Sequence, residues 1–221
     1  MAEVGTGRIL REILSRLRDP YSGLWEGPGT VDQTGIAILL RTASVPAAEV
    51  VATQRPTTLA RPRCVVARLW LRGIGEPIIL AMNHWKSRMQ QAETNDREDR
   101  METARWLGDL LSAMTRETCV IVMGDFNAEP FEAPFSSVGL RGVRFHSSAL
   151  WSQATPAYLY ICAWRQLPQP DTWEVAGMAG YVESRPKTSH DASPPVVLDH
   201  VMVSGRALRG GPLRLLESTV A

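Results

Sequence analysis

The chain has 221 residues, of which 44% are hydrophobic and 21% are charged, enough apolar material for one folded domain with a sizeable core. A net charge of +1 excludes the strongly basic field that tight, sequence-independent DNA binding requires, although a local basic patch is compatible with it. No window approaches the roughly 18 apolar residues of a membrane-spanning helix, so we expect no transmembrane segment.

The first predicted elements are a helix, a connection and a strand. The apolar residues of the opening segment recur at helical spacing, with arginine and glutamate between them: Ile9, Leu10, Ile13, Leu14 and Leu17. Pro20 helps to end this amphipathic helix. Residues 23–34 contain glycines and a proline and are predicted to be a connection, whereas residues 35–41 have the apolar run of a strand.

Two strands and a second helix follow. After a proline-rich loop, residues 64–71 and 77–83 are predicted to be strands joined as a hairpin by residues 72–76. The charged segment 90–100 then leads into a helix with an apolar face made of Met101, Ala104, Leu107, Leu111 and Met114. Residues 119–125 form the next strand, which we expect at the centre of the sheet.

The region from residue 142 to residue 195 has little clean periodicity. It contains Trp151, Tyr158, Tyr160, Trp164, Trp173 and Tyr181 among prolines and glycines. We expect these aromatic residues to fill the core beneath long loops, and a substrate-facing rim is the alternative. No internal repeat and no linker divides the chain, so residues 1–221 are predicted to form a single domain.

The most informative segment is the strand that runs from Val120 and ends in polar residues at Asp125 and Asn127. Because side chains alternate along a strand, Asp125 and Asn127 should point to one side and Phe126 toward the core. Gly124 would let another backbone come close. Aspartate and asparagine are also ordinary turn formers after strands, so this pattern alone is weak evidence for catalysis.

Two further strands carry polar residues of the same kind. Residues 78–87 are apolar and end in a cluster that contains Asn83, His84 and Lys86, and residues 196–204 form a strand with Asp199 in its middle. Polar groups at the ends of buried strands are how α/β enzymes commonly hold a water molecule or a metal ion.

These segments together resemble the endonuclease/exonuclease/phosphatase superfamily, which includes the DNase I-like nucleases. The matching stretches occur in the family's order over most of the chain: residues 35–41, 83–87, 123–127 and 198–204. The resemblance implies an α/β fold of the DNase I-like type, a four-layer α/β/β/α sandwich. It also implies a metal-dependent phosphoesterase that uses Mg²⁺ or Mn²⁺.

The resemblance implies catalytic roles for four residues. Asp125 would orient and deprotonate the attacking water, and Asn127 would donate to a phosphoryl oxygen or hold Asp125 in place. His84 would donate to another phosphoryl oxygen as charge builds in the transition state, with a strand-end structural histidine as the alternative. Asp199 would orient a histidine, as the carboxylate of a catalytic triad does.

Three more residues are candidates for metal or substrate binding. Glu3 is the candidate metal ligand, because the first four residues look like the family's Gln-Glu-Val motif, and a frayed terminal residue is the alternative. Asn83 and Arg41 are candidate substrate-binding residues, Asn83 for orienting groups in the site and Arg41 for phosphate contact. A structural role is the alternative for both.

The two ends depart from the family pattern, which has a first strand ending in asparagine and a C-terminal Ser-Asp-His segment. His200 is not expected to replace that histidine, because neighbours in a strand face opposite sides and His200 faces away if Asp199 faces the site. We therefore expect weak or no hydrolysis and poor solubility. The alternatives to an active enzyme are a family remnant with a binding or structural role and a truncated gene model.

The remaining expectations concern partners and compartment. Substrates in the superfamily include nucleic acids, phosphoinositides, sphingolipids and small phosphodiesters, so the resemblance implies a phosphate-ester substrate, with nucleic acid among the candidates. Cys64, Cys119 and Cys162 are odd in number and lie in or near apolar runs, which favours buried thiols in a reducing compartment. We expect a cytoplasmic monomer, and secretion is the alternative because the amino end resembles a clipped one.

Overall fold

The computed structural model describes residues 7–27, 34–56, 61–87, 93–136, 139–151, 157–162, 182–183 and 196–209. The strands are β1 (Tyr21–Glu26), β2 (Ile36–Arg41), β3 (Ala47–Gln54), β4 (Cys64–Trp70), β5 (Ile78–His84), β6 (Cys119–Asp125), β7 (Arg141–Val143), β8 (Tyr158–Ile161), β9 (Val182–Glu183), β10 (Val196–Val197) and β11 (Asp199–Ser204). The helices are α1 (Gly7–Arg16), α2 (Glu93–Ser112), α3 (Ala133–Ser136), α4 (His146–Trp151) and α5 (Gly205–Leu208).

A seven-stranded mixed sheet in the order β3-β4-β5-β6-β11-β8-β7 forms the centre of the described structure. β5 and β6 run parallel, as do β7 and β8, and the other neighbours are antiparallel. The segment that contains α2 connects β5 to β6, since a parallel pair needs a long crossover. β1 pairs with β2 in a separate sheet, and β9 pairs with β10 in another. The predicted hairpin of β4 and β5 is confirmed.

Four layers stack in the predicted order: α1, the β1–β2 pair, the large sheet and α2. The side chains of β2 alternate between two neighbouring layers. Ala37 packs with Leu10 of α1, whereas Ile36 and Ile38 pack with Leu80 and other residues of the large sheet. Because β2 is covered on both faces, its sequence is a continuous apolar run and not an alternating one.

α2 covers the opposite face of the large sheet. Its residues Ala104, Leu107 and Leu111 are fully buried and share one apolar cluster with Val120 and Val122 of β6. The predicted inward face of the helix is confirmed at these three positions, and each buried leucine contributes about 1.5–3 kcal/mol. The helix begins earlier than predicted, since much of the charged segment belongs to it. Within the described part of the chain, no helix has the length and apolar character needed to cross a membrane.

The sequence pattern missed several strands, among them β1 and β3. Residues 23–26 of β1 lie in the segment predicted to be a connection, yet all six residues of the strand pair with β2. Gly23 lets α1 lie close over this strand, because a Cβ atom at that position would lie 3.0 Å from Cδ2 of Leu10. β3 is an edge strand whose register shifts between Val50 and Ala52, and the bulge weakens the alternation that would have revealed it.

No disulfide joins the three cysteines, all of which lie in the described part of the chain. Cys64 and Cys119 are buried, as predicted, and Cys162 is partly buried. Burial raises the pKa of the Cys64 thiol and raises that of Cys119 to about 11, so both remain protonated at neutral pH.

Of the aromatic residues named between 142 and 195, Trp151 lies in α4, and Tyr158 and Tyr160 lie in β8. Tyr160 is 1% exposed and belongs to the core, as expected. Trp164, Trp173 and Tyr181 lie outside the described residues.

Candidate active site

Strand pairing brings three of the predicted catalytic residues into one row. His84 at the end of β5 is in register with Asp125 at the end of β6, and Asp125 is in register with Asp199 at the start of β11. Residues in register on neighbouring strands point to the same face of a sheet. Since neighbouring strands lie about 4.8 Å apart, the row spans roughly 10 Å between the Cα atoms of its outer members.

This row lies on the face of the large sheet that points toward the β1–β2 pair. Two residues before His84 and Asp125 on their strands, Met82 and Met123 contribute to the apolar cluster between the two sheets. The same alternation places the side chains of His84, Asp125 and Asp199 on this face too, at the edge of the apolar cluster. All three residues have intermediate exposure, so the row is reachable from solvent.

Asp125 and Asn127 are joined by direct hydrogen bonds. The backbone N–H of Asn127 donates to Asp125 Oδ1 at 2.8 Å, and Asn127 Nδ2 donates to Asp125 Oδ2 at 3.0 Å. The sequence analysis expected the two side chains to lie together because side chains alternate along a strand, but the structure brings them together through a turn. β6 ends at Asp125, and Asn127 adopts a left-handed backbone with φ of 46°, so a side-chain-to-backbone turn brings the pair together. Phe126 between them is fully buried, as predicted.

Gly124 allows β5 and β6 to approach each other directly beneath this turn. Its φ is 129°, and a Cβ atom at this position would lie 2.1 Å from the backbone oxygen of Asn83. Any other residue would push the strand that carries Asp125 away from the strand that carries His84. The expected close approach of another backbone is confirmed.

Asn83 is tied into the protein interior. Its side chain is fully buried, its Nδ2 donates to the carbonyls of Ala81 and Met123 at 3.1 and 3.3 Å, and its Oδ1 accepts the indole N–H of Trp85 at 2.9 Å. A completely buried side chain does not touch a substrate in this arrangement. These contacts instead orient the residues on either side of His84.

Arg41 lies at the far end of the sheet from His84. It forms an ion pair of 2.8 Å with Asp19, and the neighbouring Ser44 carbonyl accepts the N–H of Arg72, which precedes β5. His84 is the last residue of the seven-residue β5, about 20 Å away along the strand. The structure therefore does not bring Arg41 together with the row.

Oxygen donors at this edge are of the type that Mg²⁺ and Mn²⁺ prefer. Among the residues that the structure describes, no three histidine, cysteine, aspartate or glutamate side chains converge into a metal-binding group. Glu3, the predicted metal ligand, lies outside the described residues. The described carboxylates thus fit a hard divalent ion in type, and a full ligand set would need a further acidic residue.

Two buried arginines beside the site were not indicated by the sequence pattern. Arg63 is 6% exposed and its Nη1 donates to the His84 carbonyl at 3.4 Å, while Arg100 is 8% exposed and its Nη1 donates to the Lys86 carbonyl at 3.1 Å. Arginine is common on surfaces, and only the tertiary fold reveals that these two are buried. The weak signal available was the position of Arg63 just before an apolar strand.

His200 lies on the opposite face of β11 from Asp199. It is 2% exposed, contacts the rings of Phe126 and Phe135 with centroid distances of 5.5 Å, and its Nε2 lies 2.7 Å from the Ala128 carbonyl. Burial lowers the pKa of His200 to about 4, so the ring is neutral at pH 7 and its Nε2–H donates. The expectation that His200 faces away from Asp199 is confirmed, and His200 is a packed, hydrogen-bonded structural residue.

The chain matches the Endonuclease/Exonuclease/phosphatase family over residues 6–220. It belongs to this family. The membership supports a phosphoesterase-type function, and the family is generally dependent on a divalent metal ion. No curated protein sequence matches the chain.

Solved structures show the same fold. D. rerio TDP2 in complex with a single-strand DNA product has a TM-score of 0.57 and 16% identity, covering 92% of this chain and 68% of that one. A mannosyl-6-phosphatase of Bacteroides thetaiotaomicron has a TM-score of 0.53 and 15% identity, covering 89% of this chain and 67% of that one. At these identities the likeness shows the DNase I-like architecture.

Proposed function

We propose that this family member is a metal-dependent phosphoesterase that hydrolyses phosphodiester or phosphomonoester bonds. The observation that carries the proposal is the row of His84, Asp125 and Asp199 at the ends of three adjacent strands, with Asn127 bonded to Asp125. A base, a hydrogen-bond donor and a second carboxylate within about 10 Å are suited to a tetrahedral phosphate and an attacking water.

Asp125 is the proposed general base. Its two oxygens each accept one hydrogen bond from Asn127, which fixes the plane of the carboxylate. A carboxylate whose plane is fixed in this way can orient an attacking water and accept its proton, which is the role proposed for Asp125.

Asn127 is assigned to holding Asp125. Its Nδ2 group has two hydrogens, and it bonds both to Asp125 Oδ2 at 3.0 Å and to the Trp85 carbonyl at 3.2 Å. With both hydrogens engaged, the positioning role predicted as one of two alternatives is favoured over direct contact with the phosphate.

His84 is the proposed donor to a phosphoryl oxygen, since it stands next to Asp125 in the row. Asp199, on the other side of Asp125, would orient and charge-stabilise a histidine, which is the role that the family resemblance assigns to this acid.

Mg²⁺ or Mn²⁺ is the proposed cofactor, and Glu3 is the residue proposed to anchor it. When bound, such an ion would polarise a phosphoryl oxygen and stabilise the leaving group. The proposed substrate is a phosphate ester, with nucleic acid among the candidates because D. rerio TDP2 holds a DNA product on the same fold. The net charge of +1 favours recognition of a local feature over tight binding along a duplex.

The test is metal-dependent hydrolysis by the purified chain. Bis(p-nitrophenyl) phosphate, p-nitrophenyl phosphate and a single-stranded oligonucleotide would be assayed with Mg²⁺, with Mn²⁺ and with EDTA. We expect Asp125→Ala to lower the rate by about 10²- to 10⁴-fold, because it removes a positioned base. Asp109→Ala, the same change at an exposed position of α2, serves as the control.

Two results would contradict the proposal. One is hydrolysis that survives Asp125→Ala, which would place the chemistry elsewhere. The other is a folded protein whose rate on all three substrates equals that of buffer alone, so that not even weak hydrolysis is present, which would favour a family remnant with a binding or structural role.

A further inference from the structure

The backbone carbonyls of His84, the last residue of β5, and of the next two residues each accept a hydrogen bond from a side chain. The His84 carbonyl is bonded by Arg63 Nη1 at 3.4 Å, the Trp85 carbonyl by Asn127 Nδ2 at 3.2 Å, and the Lys86 carbonyl by Arg100 Nη1 at 3.1 Å. A segment that leaves a sheet loses its ladder bonds, and its carbonyls then need other donors. Here buried side chains, and not only solvent, supply them.

Arg63 bonds both backbone polar groups of His84, the N–H and the carbonyl. The His84 N–H donates to the Arg63 carbonyl at 3.0 Å, as the extended β4–β5 register requires. A regular antiparallel pair would return the second bond through the Arg63 N–H. That N–H instead donates to the Gln54 carbonyl of β3 at 2.9 Å, and the guanidinium group of Arg63 bonds the His84 carbonyl in its place.

The three donors come from three separate parts of the fold. Arg63 directly precedes β4, Asn127 follows β6, and Arg100 belongs to α2. The N–H of Trp85 adds a bond to the Asp125 carbonyl at 2.9 Å. The backbone of the segment is therefore fixed relative to both the sheet and the helix that covers it.

We propose that Arg63 and Arg100 are positioning residues whose guanidinium groups, bonded to the carbonyls of His84 and Lys86, hold the His84 side chain in line with Asp125. The inference rests on the proposed function, because it takes His84 to be the phosphoryl contact. Both arginines are more than nine-tenths buried, and desolvating a guanidinium group costs free energy that a simple surface cation would not pay. Each guanidinium group donates to its carbonyl through Nη1, and the planar head group, which is always charged, gives this bond a defined direction.

The main experiment is a double-mutant cycle on kcat/KM. Arg63→Gln and Arg100→Gln should each lower kcat/KM by about 10- to 100-fold, since a misplacement of about 1 Å costs up to that factor. Two arginines outside the site provide matched controls, the partly exposed Arg68→Gln on β4 and the exposed Arg105→Gln on α2. Both should leave kcat/KM unchanged.

The cycle separates positioning from a general effect on the fold. If Arg63 acts through His84, Arg63→Gln should cause little further loss in a His84→Ala background. An equal loss in both backgrounds would overturn the proposal, and so would wild-type activity in Arg63→Gln. Should Arg63→Gln fail to fold, Arg63→Lys, which keeps the charge and loses the fork, takes its place in the same cycle.

Hydrogen exchange provides a readout that does not depend on catalysis. The amides of His84 and Trp85 should exchange faster in Arg63→Gln than in wild type, with α2 and the strand interiors unaffected. A wild-type protein without hydrolytic activity, combined with this local change, would refute the proposed function and retain the structural part of the inference. Unchanged exchange at these amides would overturn the positioning role whatever the activity.

Discussion

Asn127→Ala is predicted to be strongly destabilising because Asn127 combines a special backbone conformation with two buried side-chain bonds. Asn127 is 6% exposed, its φ is 46°, and its amide bonds Asp125 Oδ2 and the Trp85 carbonyl. Alanine would forfeit both bonds and keep the left-handed backbone. The bond from the backbone N–H to Asp125 Oδ1 would remain.

The magnitude follows from three contributions. A hydrogen bond to a charged group contributes about 1.5–3 kcal/mol, and a buried carbonyl left without a donor costs about 1–3 kcal/mol. A left-handed alanine adds about 1–2 kcal/mol. Since such contributions overlap, we expect Asn127→Ala to lose about 4 kcal/mol, a large part of the roughly 5–15 kcal/mol typical of a domain.

Asn127→Gly is the informative companion variant. Glycine adopts positive φ without strain, so it removes the same two bonds and avoids the backbone term. Asn127→Gly should therefore be about 1 kcal/mol more stable than Asn127→Ala, the reverse of the usual order of the two residues. Urea unfolding at neutral pH, followed by tryptophan fluorescence, measures both free energies. A loss below about 1 kcal/mol in Asn127→Ala, or a glycine variant no more stable than the alanine one, would refute the reasoning.

Three further predictions concern the surrounding structure. His200 has a folded-state pKa of about 4 against 6.5 in its ordinary state, so its contribution to stability is complete above about pH 6.5 and is lost as the pH falls through about 4. His200→Gln can still donate to the Ala128 carbonyl but does not titrate, so its free energy of unfolding in urea should vary with pH by about 3 kcal/mol less than that of the wild type. Parallel pH profiles of the two proteins would contradict this prediction. Gly124→Ala should lower stability by about 3 kcal/mol or more, because its Cβ would meet the Asn83 backbone, and an unchanged Tm would exclude this. Leu107→Ala, in the core beneath α2, should cost about 2–5 kcal/mol in the same unfolding assay, whereas a loss near zero would mean that α2 is not packed as described.

The sequence predicted the elements with strong local patterns. β2, β4, β5 and β6 are short, largely apolar runs, and α2 has an apolar stripe at helical spacing, so local patterns were sufficient to predict them. The sequence pattern did not predict β1, because Ser22 and Gly23 are typical turn residues when only their local sequence is considered. In the fold, α1 packs over Gly23 and β2 provides a full set of partners, so tertiary contacts override the local preference.

The candidate site was predictable only in part. Strand ends pointed to His84 and Asp125, and the family resemblance pointed to Asp199, but the alignment of the three depends on register across three strands, which no local pattern encodes. Arg41 was named from the same motif set and lies at the other end of the sheet. Arg63 was overlooked because burial of an arginine is a property of the packed structure and not of its neighbours in sequence.

Register is therefore the feature on which the site depends, and β11 shows how it is fixed. A slip of one residue would turn Asp199 away from the row and bring His200 into it. At one end of the strand, the buried ring of His200 packs against Phe126 and Phe135 and bonds the Ala128 carbonyl, which a slipped strand could not do. At the other end, Ser204 Oγ accepts the N–H of Val120 at 3.0 Å and donates to a carbonyl next to β6. The structural histidine and the serine thus set the position of Asp199, although neither side chain belongs to the row.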